Sequence, residues 1–308
     1  MTGMQLQTVD IVPERISTTD DPAKILRFAA EEATRGGVAL CTLIDIRGGG
    51  ARSLGAHVAV AADGRFCGYV SGGCVEAALA SEAVKAIEEG RDQIVTYGDG
   101  SPFFDIVLPC GGGITIAIHL LRDAGVLFHV LEKLEKREVT GLEYDIEAGE
   151  LRVARNVPAR VAHTEGTLTI VYRPRTRLAF SGQAGEAEAL ARLAESAGYD
   201  VVDLRAEAAL NGVVDAFTAV VLLHHDIDAE ERVLEAALRT KAFYIGALGS
   251  TRTHRRRVDR LREHGVAPEL SDRIRAPIGI FGPTRDSVSL AISVLADISA
   301  ARLEKHGG

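Results

Sequence analysis

The stretch LAFSGQAGEAEALARLAESAGYDVVDL, from Leu178 to Leu204, decides the fold class of this chain. It opens with a short apolar strand, Leu178–Phe180, which is followed by an alanine-rich helix, Gly185–Ala197. Gly198 ends the helix, and a second strand covers Asp200–Leu204. A strand, a helix and a strand in so short a run are typical of parallel strands joined by a crossover helix. We therefore expect a parallel sheet in this half of the chain.

The alternation of strands and helices continues to the last residues. Further strands are predicted at residues 217–223 and 243–248, an extended segment at 274–280, and helices at 229–238, 252–263 and 285–303. The short connections between them indicate a doubly wound parallel sheet with helices on both faces.

The first half of the chain mixes its elements differently. A helix is predicted at residues 22–34, a β-hairpin at 57–70, and strands at 38–46, 94–97, 114–120, 151–154 and 167–171. We therefore predict an α/β protein in two domains. A mixed α+β domain, residues 1–173, precedes a Rossmann-like domain, residues 174–308.

A glycine turn in the first half joins the hairpin to a helix. The residues are Ser71-Gly72-Gly73-Cys74-Val75-Glu76, and the helix is predicted over Val75–Ile87 with its end at Gly90. Free N–H groups at a helix N-terminus can bind an anion, and a cysteine in the first helical turn favours the thiolate. We interpret the turn as a binding site; a tight turn with an inert buried cysteine also explains it.

The composition restricts the class of partner and the compartment. The chain has 308 residues and a formal net charge of −8, which argues against nucleic acid as the main partner. No apolar run approaches the length of a membrane span, and no secretory signal is visible at the start. We expect a cytoplasmic protein without a membrane partner, whose reduced cysteines are Cys41, Cys67, Cys74 and Cys110.

One predicted helix is unusually basic. Its arginines are Arg252, Arg255, Arg256, Arg257, Arg260 and Arg262. Two interpretations stay open: an ordinary solvated helix face, or a local patch that binds phosphate or a protein.

The first βα turn of the Rossmann-like domain resembles a dinucleotide-binding loop. Gly182 and Gly185 lie between strand and helix, and Asp203 ends the next strand about 20 residues further on, where a carboxylate can hold a ribose hydroxyl. Ala184 stands where close approach to a pyrophosphate needs glycine, and Glu186 adds negative charge there. We therefore expect NAD(P) binding to be weak or absent.

Polar residues also follow the next two predicted strands. His224-His225-Asp226 comes directly after one strand, and Gly249, Ser250 and Arg252 follow the other. In open α/β sheets, ligands bind at the carboxyl ends of the strands. Successive residues of a strand point to opposite faces, so we do not expect the tripeptide to form a metal site.

A further glycine loop in the first domain carries a cysteine. In Pro109-Cys110-Gly111-Gly112-Gly113, the glycines permit close approach of the backbone to a ligand. A separate loop, Gly48-Gly49-Gly50, is followed by Arg52. We count Arg52, Cys110, Gly111 and Gly112 among the candidate binding residues.

Together these motifs resemble the XdhC/CoxI family, the accessory proteins that mature xanthine dehydrogenase and related molybdenum hydroxylases. The similarity extends over almost the whole chain. Ser71–Glu76, within the matching run Gly68–Glu76, and Cys110-Gly111-Gly112 are specific in combination. The similarity is also carried by Gly50–His57, Asp63-Gly64, His225-Asp226, Tyr244–Ser250, Pro277–Gly279 and Ala291–Ser293.

The resemblance implies a protein that binds the molybdenum cofactor (a molybdopterin), supports its sulfuration and delivers it to an apo-hydroxylase of the xanthine dehydrogenase type. It implies a cysteine desulfurase-type sulfur donor, a homodimer, and Cys110 as the residue that contacts the metal. The implied cofactor-binding residues are Arg52, Ser71, Gly72, Gly73, Cys74, Glu76, Cys110, Gly111, Gly112, Gly182, Gly185, Asp203, His225, Asp226, Gly249, Ser250 and Arg252.

Two alternatives to this cofactor chaperone stay open. One is an NAD(P)-dependent oxidoreductase that uses the Rossmann-like domain, and the other is a non-catalytic scaffold that contacts a hydroxylase or a sulfurtransferase. Whether the protein is itself an enzyme is left open, although a maturation factor is favoured over a stand-alone catalyst.

Overall fold

The computed structural model describes residues 11–101, 111–182, 184–204, 210 and 212–307. The chain divides into two compact units, Met1–Arg173 and Pro174–Gly308. None of the helices in the described part of the chain is long and apolar enough to cross a lipid bilayer.

The first unit contains two β-sheets and three described helices. Its strands are β1 (Glu14–Ser17), β2 (Val38–Arg47), β3 (His57–Ala61), β4 (Arg65–Gly68), β5 (Gln93–Gly98), β6 (Gly113–Leu120), β7 (Thr140–Asp145), β8 (Glu150–Val153), β9 (Ala162–Thr164) and β10 (Thr167–Tyr172). Its helices are α1 (Pro22–Ala33), α2 (Glu76–Glu89) and α3 (Gly125–Glu135).

The larger sheet has the strand order β1-β4-β3-β2-β6-β5, and the smaller has the order β8-β7-β10-β9. Neighbouring strands are antiparallel except for β1 and β4, which are parallel. The apolar run of β2 is buried on both faces, as expected for a central strand. Cys41 and Leu43 pack with α2 on one face, while Leu40 packs with α1, α3 and the smaller sheet on the other.

The second unit is a parallel sheet covered by helices. Its strands are β11 (Arg177–Gly182), β12 (Asp200–Asp203), β13 (Thr218–Leu223), β14 (Tyr244–Ala247) and β15 (Ile274–Arg275). Its helices are α4 (Ala184–Ser196), α5 (Ile227–Leu238), α6 (Thr251–Glu263), α7 (Pro268–Ser271) and α8 (Ser287–His306).

The strand order β12-β11-β13-β14-β15, with every pair parallel, confirms the predicted Rossmann-like fold class. Helices α4 and α8 pack on one face of the sheet, and α5 and α6 pack on the other. Of the segment predicted to be extended, residues 274–280, only β15 pairs with the sheet, and it ends at Arg275. Pro277 has no N–H to donate to a β-ladder, so the extended segment leaves the sheet.

A buried ion pair joins the two helices that cover one face of this sheet. Nε of Arg257 in α6 donates to Oε1 of Glu230 in α5 at 2.5 Å, and the side chains are 2% and 1% exposed. Another guanidinium nitrogen of Arg257 donates to the carbonyl of Leu248 at 2.8 Å, just after β14. One of the six arginines in the basic stretch is therefore structural.

Replacing one partner of this pair should destabilise the second unit. We expect Arg257→Met to lower the free energy of unfolding by about 3–5 kcal/mol, because it leaves the Glu230 carboxylate buried without its cation. The double variant Arg257→Met with Glu230→Leu should recover most of that loss. Equilibrium urea unfolding measures both variants, and a single variant within about 1 kcal/mol of the parent would contradict the prediction.

Candidate functional site

Three loops leave the six-stranded sheet at the same end. Arg47 at the end of β2 pairs with Gly113 at the start of β6, and Gly113 also pairs with Gly98 at the end of β5. Gly68, the last residue of β4, pairs with Val58 near the start of β3. The described segments 48–56, 69–75, 99–101 and 111–112 therefore lie at one end of the sheet. The structure thus brings Arg52 and the Ser71–Glu76 turn to the same end as Gly111 and Gly112; Cys110 lies outside the described residues.

The backbone of one loop packs directly against another. A Cβ atom on Gly112 would lie 2.4 Å from the carbonyl oxygen of Arg47 and 2.9 Å from that of Gly49, so only glycine fits there. The close approach predicted for a ligand at Gly112 is thus made by the chain's own backbone. Gly111 is different, because a Cβ atom there would meet nothing within 4 Å among the described atoms.

The side chain of Glu76 fixes the Ser71–Glu76 turn from below. Its carboxylate is fully buried and accepts hydrogen bonds from the N–H groups of Val70 at 3.2 Å and Ser71 at 2.8 Å. It also accepts from the Ser71 hydroxyl, at 2.8 and 3.0 Å from its two oxygens. Glu76 was predicted to bind the cofactor, but its position makes it a support for the loop.

Cys74 does not lie where the sequence placed it. Val75 is the N-cap residue and α2 begins at Glu76, so Cys74 precedes the first helical turn, and the argument from that turn does not apply. The prediction was wrong because seven residues, 69–75, separate β4 from α2, which is more than the apolar pattern indicated. Cys74 is exposed, and its thiol donates to the hydroxyl oxygen of Ser71 at 3.5 Å.

The hydroxyl of Ser71 organises the turn through several contacts. Its single proton goes to Glu76, while its oxygen accepts from the Gly73 N–H at 3.2 Å and from Cys74. Gly72, Gly73 and Cys74 are consequently held on the surface of the unit. A Cβ atom on Gly73 would meet nothing within 4 Å, and its φ of +109° favours glycine.

Two guanidinium groups flank this turn. The Cζ atoms of Arg15 and Arg52 lie 4.4 and 5.3 Å from the ring centroid of Tyr69, two residues before the turn begins at Ser71. A Cβ atom on Gly72 would lie 3.8 Å from the Cβ atom of Ala51, so the residue before Arg52 touches the turn. The Nε atom of Arg52 is buried and makes no hydrogen bond within the described part of the chain, although another nitrogen pairs with Asp20 at 3.3 Å.

Arg15 belongs to this cluster, but the sequence gave no signal for it. It lies on β1, a strand of four residues with no recognisable motif, and the parallel pairing of β1 with β4 brings it to Tyr69. The turn Gly72–Cys74 with Arg15 and Arg52 is named the arginine-flanked turn below. Exposed glycine backbone, fixed positive charge and an accessible thiol together suit an anion with affinity for sulfur.

The other two described cysteines take no part in this arrangement. Cys41 lies within β2 and Cys67 within β4, and both are buried. Burial raises the pKa of the Cys67 thiol to about 12 and raises the pKa of the Cys41 thiol even further. Both thiols therefore remain protonated near neutral pH, and both side chains pack in the hydrophobic core.

In the second unit, the predicted residues gather at the carboxyl ends of the strands. Gly182 ends β11, residues 224–226 follow β13, and Gly249 and Ser250 follow β14. The strand order changes direction between β11 and β13, which is where open α/β sheets place ligands. A Cβ atom on Gly182 would lie 2.6 Å from Cβ of Leu223, so this glycine serves strand packing.

The individual side chains at this edge make separate contacts. His224 Nε2 lies 2.9 Å from the Ser181 hydroxyl, and burial lowers the pKa of this imidazole. His225 Nε2 lies 3.3 Å from a carboxylate oxygen of Glu186. The side chains of Asp226 and Ser250 cap α5 and α6 by accepting from backbone N–H groups at 3.0 and 3.2 Å.

The remaining candidates at this edge are exposed to solvent, have empty space around them, or lie next to residues that the structure does not describe. Gly185 has no atom within 4 Å of a Cβ position, and the side chains of Asp203 and Arg252 are exposed. Residue 183 lies outside the described residues, as does the side chain of Ala184. The carboxyl ends of these strands therefore form a polar edge, at which Asp226 and Ser250 are helix caps.

A cavity of about 250 Å³ in the first unit lies away from the glycine loops. It is lined by Asp92, Arg122 and Tyr144, among others, at the start of β5 and the end of β6. Asp92 accepts there from Arg122 at 2.8 Å and contacts His119 Nδ1 at 2.7 Å, so its carboxylate is well satisfied. This cavity lies at the opposite end of the sheet from the arginine-flanked turn.

Comparison with known proteins relates the whole chain to one group. Residues 32–98 match the model of the XdhC and CoxI family, and residues 153–298 match that of the XdhC Rossmann domain. The molybdenum cofactor insertion chaperone PaoD of Escherichia coli is 49% identical over 297 residues, covering 96% of this chain and 93% of PaoD. The uncharacterized protein YqeB of Escherichia coli is 25% identical over 276 residues, 88% of this chain but 44% of YqeB.

A solved structure supports the same fold. The crystal structure described as a xanthine dehydrogenase from Bacillus halodurans superposes with a TM-score of 0.74, covering 92% of this chain and 96% of that one. At 19% sequence identity, this likeness concerns the fold alone. From the family models and the similarity to PaoD together, the chain belongs to the XdhC and CoxI family.

Proposed function

We propose that this protein binds the molybdenum cofactor and supports its insertion into an apo-molybdoenzyme. The similarity to a molybdenum cofactor insertion chaperone along nearly the full chain supports this role. The observation that carries the proposal is the arginine-flanked turn, where the open backbone at Gly73 and the exposed Cys74 thiol follow Tyr69, the ring that Arg52 contacts.

The chemistry of the cofactor suits these groups. Its phosphate is an anion that guanidinium groups and exposed backbone N–H groups bind well, and its metal and sulfur atoms are matched by thiols. In this proposal, Arg52 holds the phosphate, Gly72 and Gly73 let the cofactor approach the backbone, and Cys74 lies beside its sulfur-rich end. Ser71 and Glu76 keep the turn in place without touching the cofactor.

The finer points of the proposal rest on the family. We propose that the protein supports sulfuration of the cofactor with a cysteine desulfurase-type donor, and that its client is a hydroxylase of the xanthine dehydrogenase type. Cys110 is proposed to contact the metal, in a cofactor-handling domain of residues 1–173. We also propose that the protein is a cytoplasmic homodimer and that neither nucleic acid nor a membrane is its partner.

An NAD(P)-dependent oxidoreductase receives less support. Glu186 lies in the first turn of α4, where a pyrophosphate would have to bind, and places a carboxylate there beside His225. A negative charge at a helix N-terminus competes with a bound anion for the helix dipole. Saturable binding and turnover of a nicotinamide dinucleotide by the purified protein would favour this alternative.

Removing the positive charge beside the turn should weaken cofactor binding. We expect Arg52→Gln to reduce the affinity for molybdenum cofactor by about 10- to 100-fold, because a hydrogen bond to a charged group contributes about 1.5–3 kcal/mol. Equilibrium titration with fluorescence detection of the oxidised pterin measures the change. Arg27→Gln is the matched control, since that arginine is exposed on α1 and pairs with Glu135. Equal affinities for the two variants would refute the assignment.

Filling the space above the turn should also impair binding. We expect Gly73→Val to lower the affinity at least about tenfold, because its side chain occupies the open space and its backbone is strained at positive φ. Gly166→Val is the control, since Gly166 has a φ of +77° and equally open surroundings, in the turn between β9 and β10. If both variants bind the cofactor like the parent, the turn has only a structural role.

The cysteines of the two glycine loops should affect the cofactor differently from the two buried strand cysteines. We expect Cys110→Ala and Cys74→Ala each to reduce either cofactor affinity or retention of the sulfido ligand, while Cys41→Ala and Cys67→Ala leave both unchanged. The buried thiols stay protonated and inaccessible. Titration and release of cyanolysable sulfur measure the two properties. The same result for all the variants would exclude thiol chemistry from the site.

A further inference from the structure

Three side chains that can bind a metal converge on the helical face of the second unit. Glu231 and Glu235 are separated by one turn of α5, so both point the same way, and His264 follows the last residue of α6. Nδ1 of His264 lies 2.8 Å from Oε1 of Glu235 and 3.6 Å from Oε1 of Glu231. One ligand atom from each residue lies within 4.8 Å of the other two.

The carboxylate of Glu231 is incompletely satisfied in this arrangement. Its Oε1 atom is buried from solvent and makes no hydrogen bond to any described residue. The nearest nitrogens, His264 Nδ1 at 3.6 Å and Arg260 Nε at 3.8 Å, are beyond hydrogen-bond distance. A carboxylate oxygen removed from water without a close partner is costly, and a cation between the three side chains would remove that cost.

The backbone holds these ligands in fixed positions. Leu234 and Leu238 of α5 pack in the same core as Leu261 of α6, which joins the two helices under the cluster. His264 is the C-cap residue of α6, and its N–H donates to the carbonyl of Arg260 at 3.0 Å. Ligands carried by packed helices need little reorganisation to bind an ion.

We propose that Glu231, Glu235 and His264 form a binding site for a divalent transition-metal ion, with Zn²⁺ as the best-matched ion. One imidazole and two carboxylates provide three ligands of the types that Zn²⁺ uses, and His264 is exposed enough for water to complete a tetrahedron. The site goes beyond the proposed function, since none of its residues belongs to the arginine-flanked turn. If the Zn²⁺ site proved absent, the proposal that the protein binds the molybdenum cofactor would therefore be unaffected.

Competition with a chromogenic zinc chelator tests the site on the full-length protein. We expect the parent protein to bind Zn²⁺ with micromolar affinity at neutral pH. His264→Ala and Glu235→Gln should each weaken that binding at least about tenfold. His129→Ala is the matched control, because His129 is an exposed histidine on α3 of the first unit, and this variant should bind like the parent.

A second readout separates this site from binding at cysteine. Any Zn²⁺ that binds at the exposed thiol of Cys74 should remain bound in His264→Ala and be lost in Cys74→Ser. Thermal unfolding with Zn²⁺ should shift upward in Cys74→Ser and remain unshifted when His264→Ala is added. In the Cys74→Ser background, an unchanged Zn²⁺ affinity when His264→Ala and Glu235→Gln are added singly would overturn the proposal, and so would an absence of Zn²⁺ binding in Cys74→Ser itself.

Discussion

The candidate site of the first unit depends on one buried carboxylate. Glu76 lies at the start of α2, yet its oxygens reach back to the N–H groups of Val70 and Ser71 and to the Ser71 hydroxyl. These charge-assisted hydrogen bonds hold the end of β4 and the start of α2 in one geometry. Ser71 in turn accepts from the Gly73 N–H and the Cys74 thiol. The conformation of the exposed part of the turn therefore depends on Glu76, whose side chain is fully buried. A rigid support beneath an exposed loop is the arrangement that precise binding requires.

The two units bring polar groups together at the ends of their strands in different ways. In the first, antiparallel strands bring three loops to one end of a sheet, and the polar groups come from the loops themselves. In the second, parallel strands end side by side, and the residues after β13 and β14 cap the following helices through Asp226 and Ser250. Asp226 and Ser250 are occupied as caps, His224 and His225 contact Ser181 and Glu186, and Gly185 has open surroundings.

Local pattern was enough to predict the fold class and most of the elements. The alternation of apolar strands and alanine-rich helices requires only neighbouring residues, and so do the glycine turns. Arg15 and the supporting role of Glu76 were missed because they depend on strand pairing and on a side chain that turns back over a bend. Gly112 and Gly182 show a further limit: a glycine needed for close approach has the same sequence signature whether the approaching group is a ligand or the chain's own backbone.

Loop 48–56 lies between two glycine-containing segments of the first unit and contacts both of them. At its start, the backbone of Gly48 and Gly49 is in contact with Gly112, and further along Ala51 lies against Gly72. The loop is therefore a spacer clamped at two points between the segment that follows Cys110 and the turn that carries Cys74. A side chain at Gly112 would displace the start of this loop, because the close-packed backbone there has no free volume to absorb it.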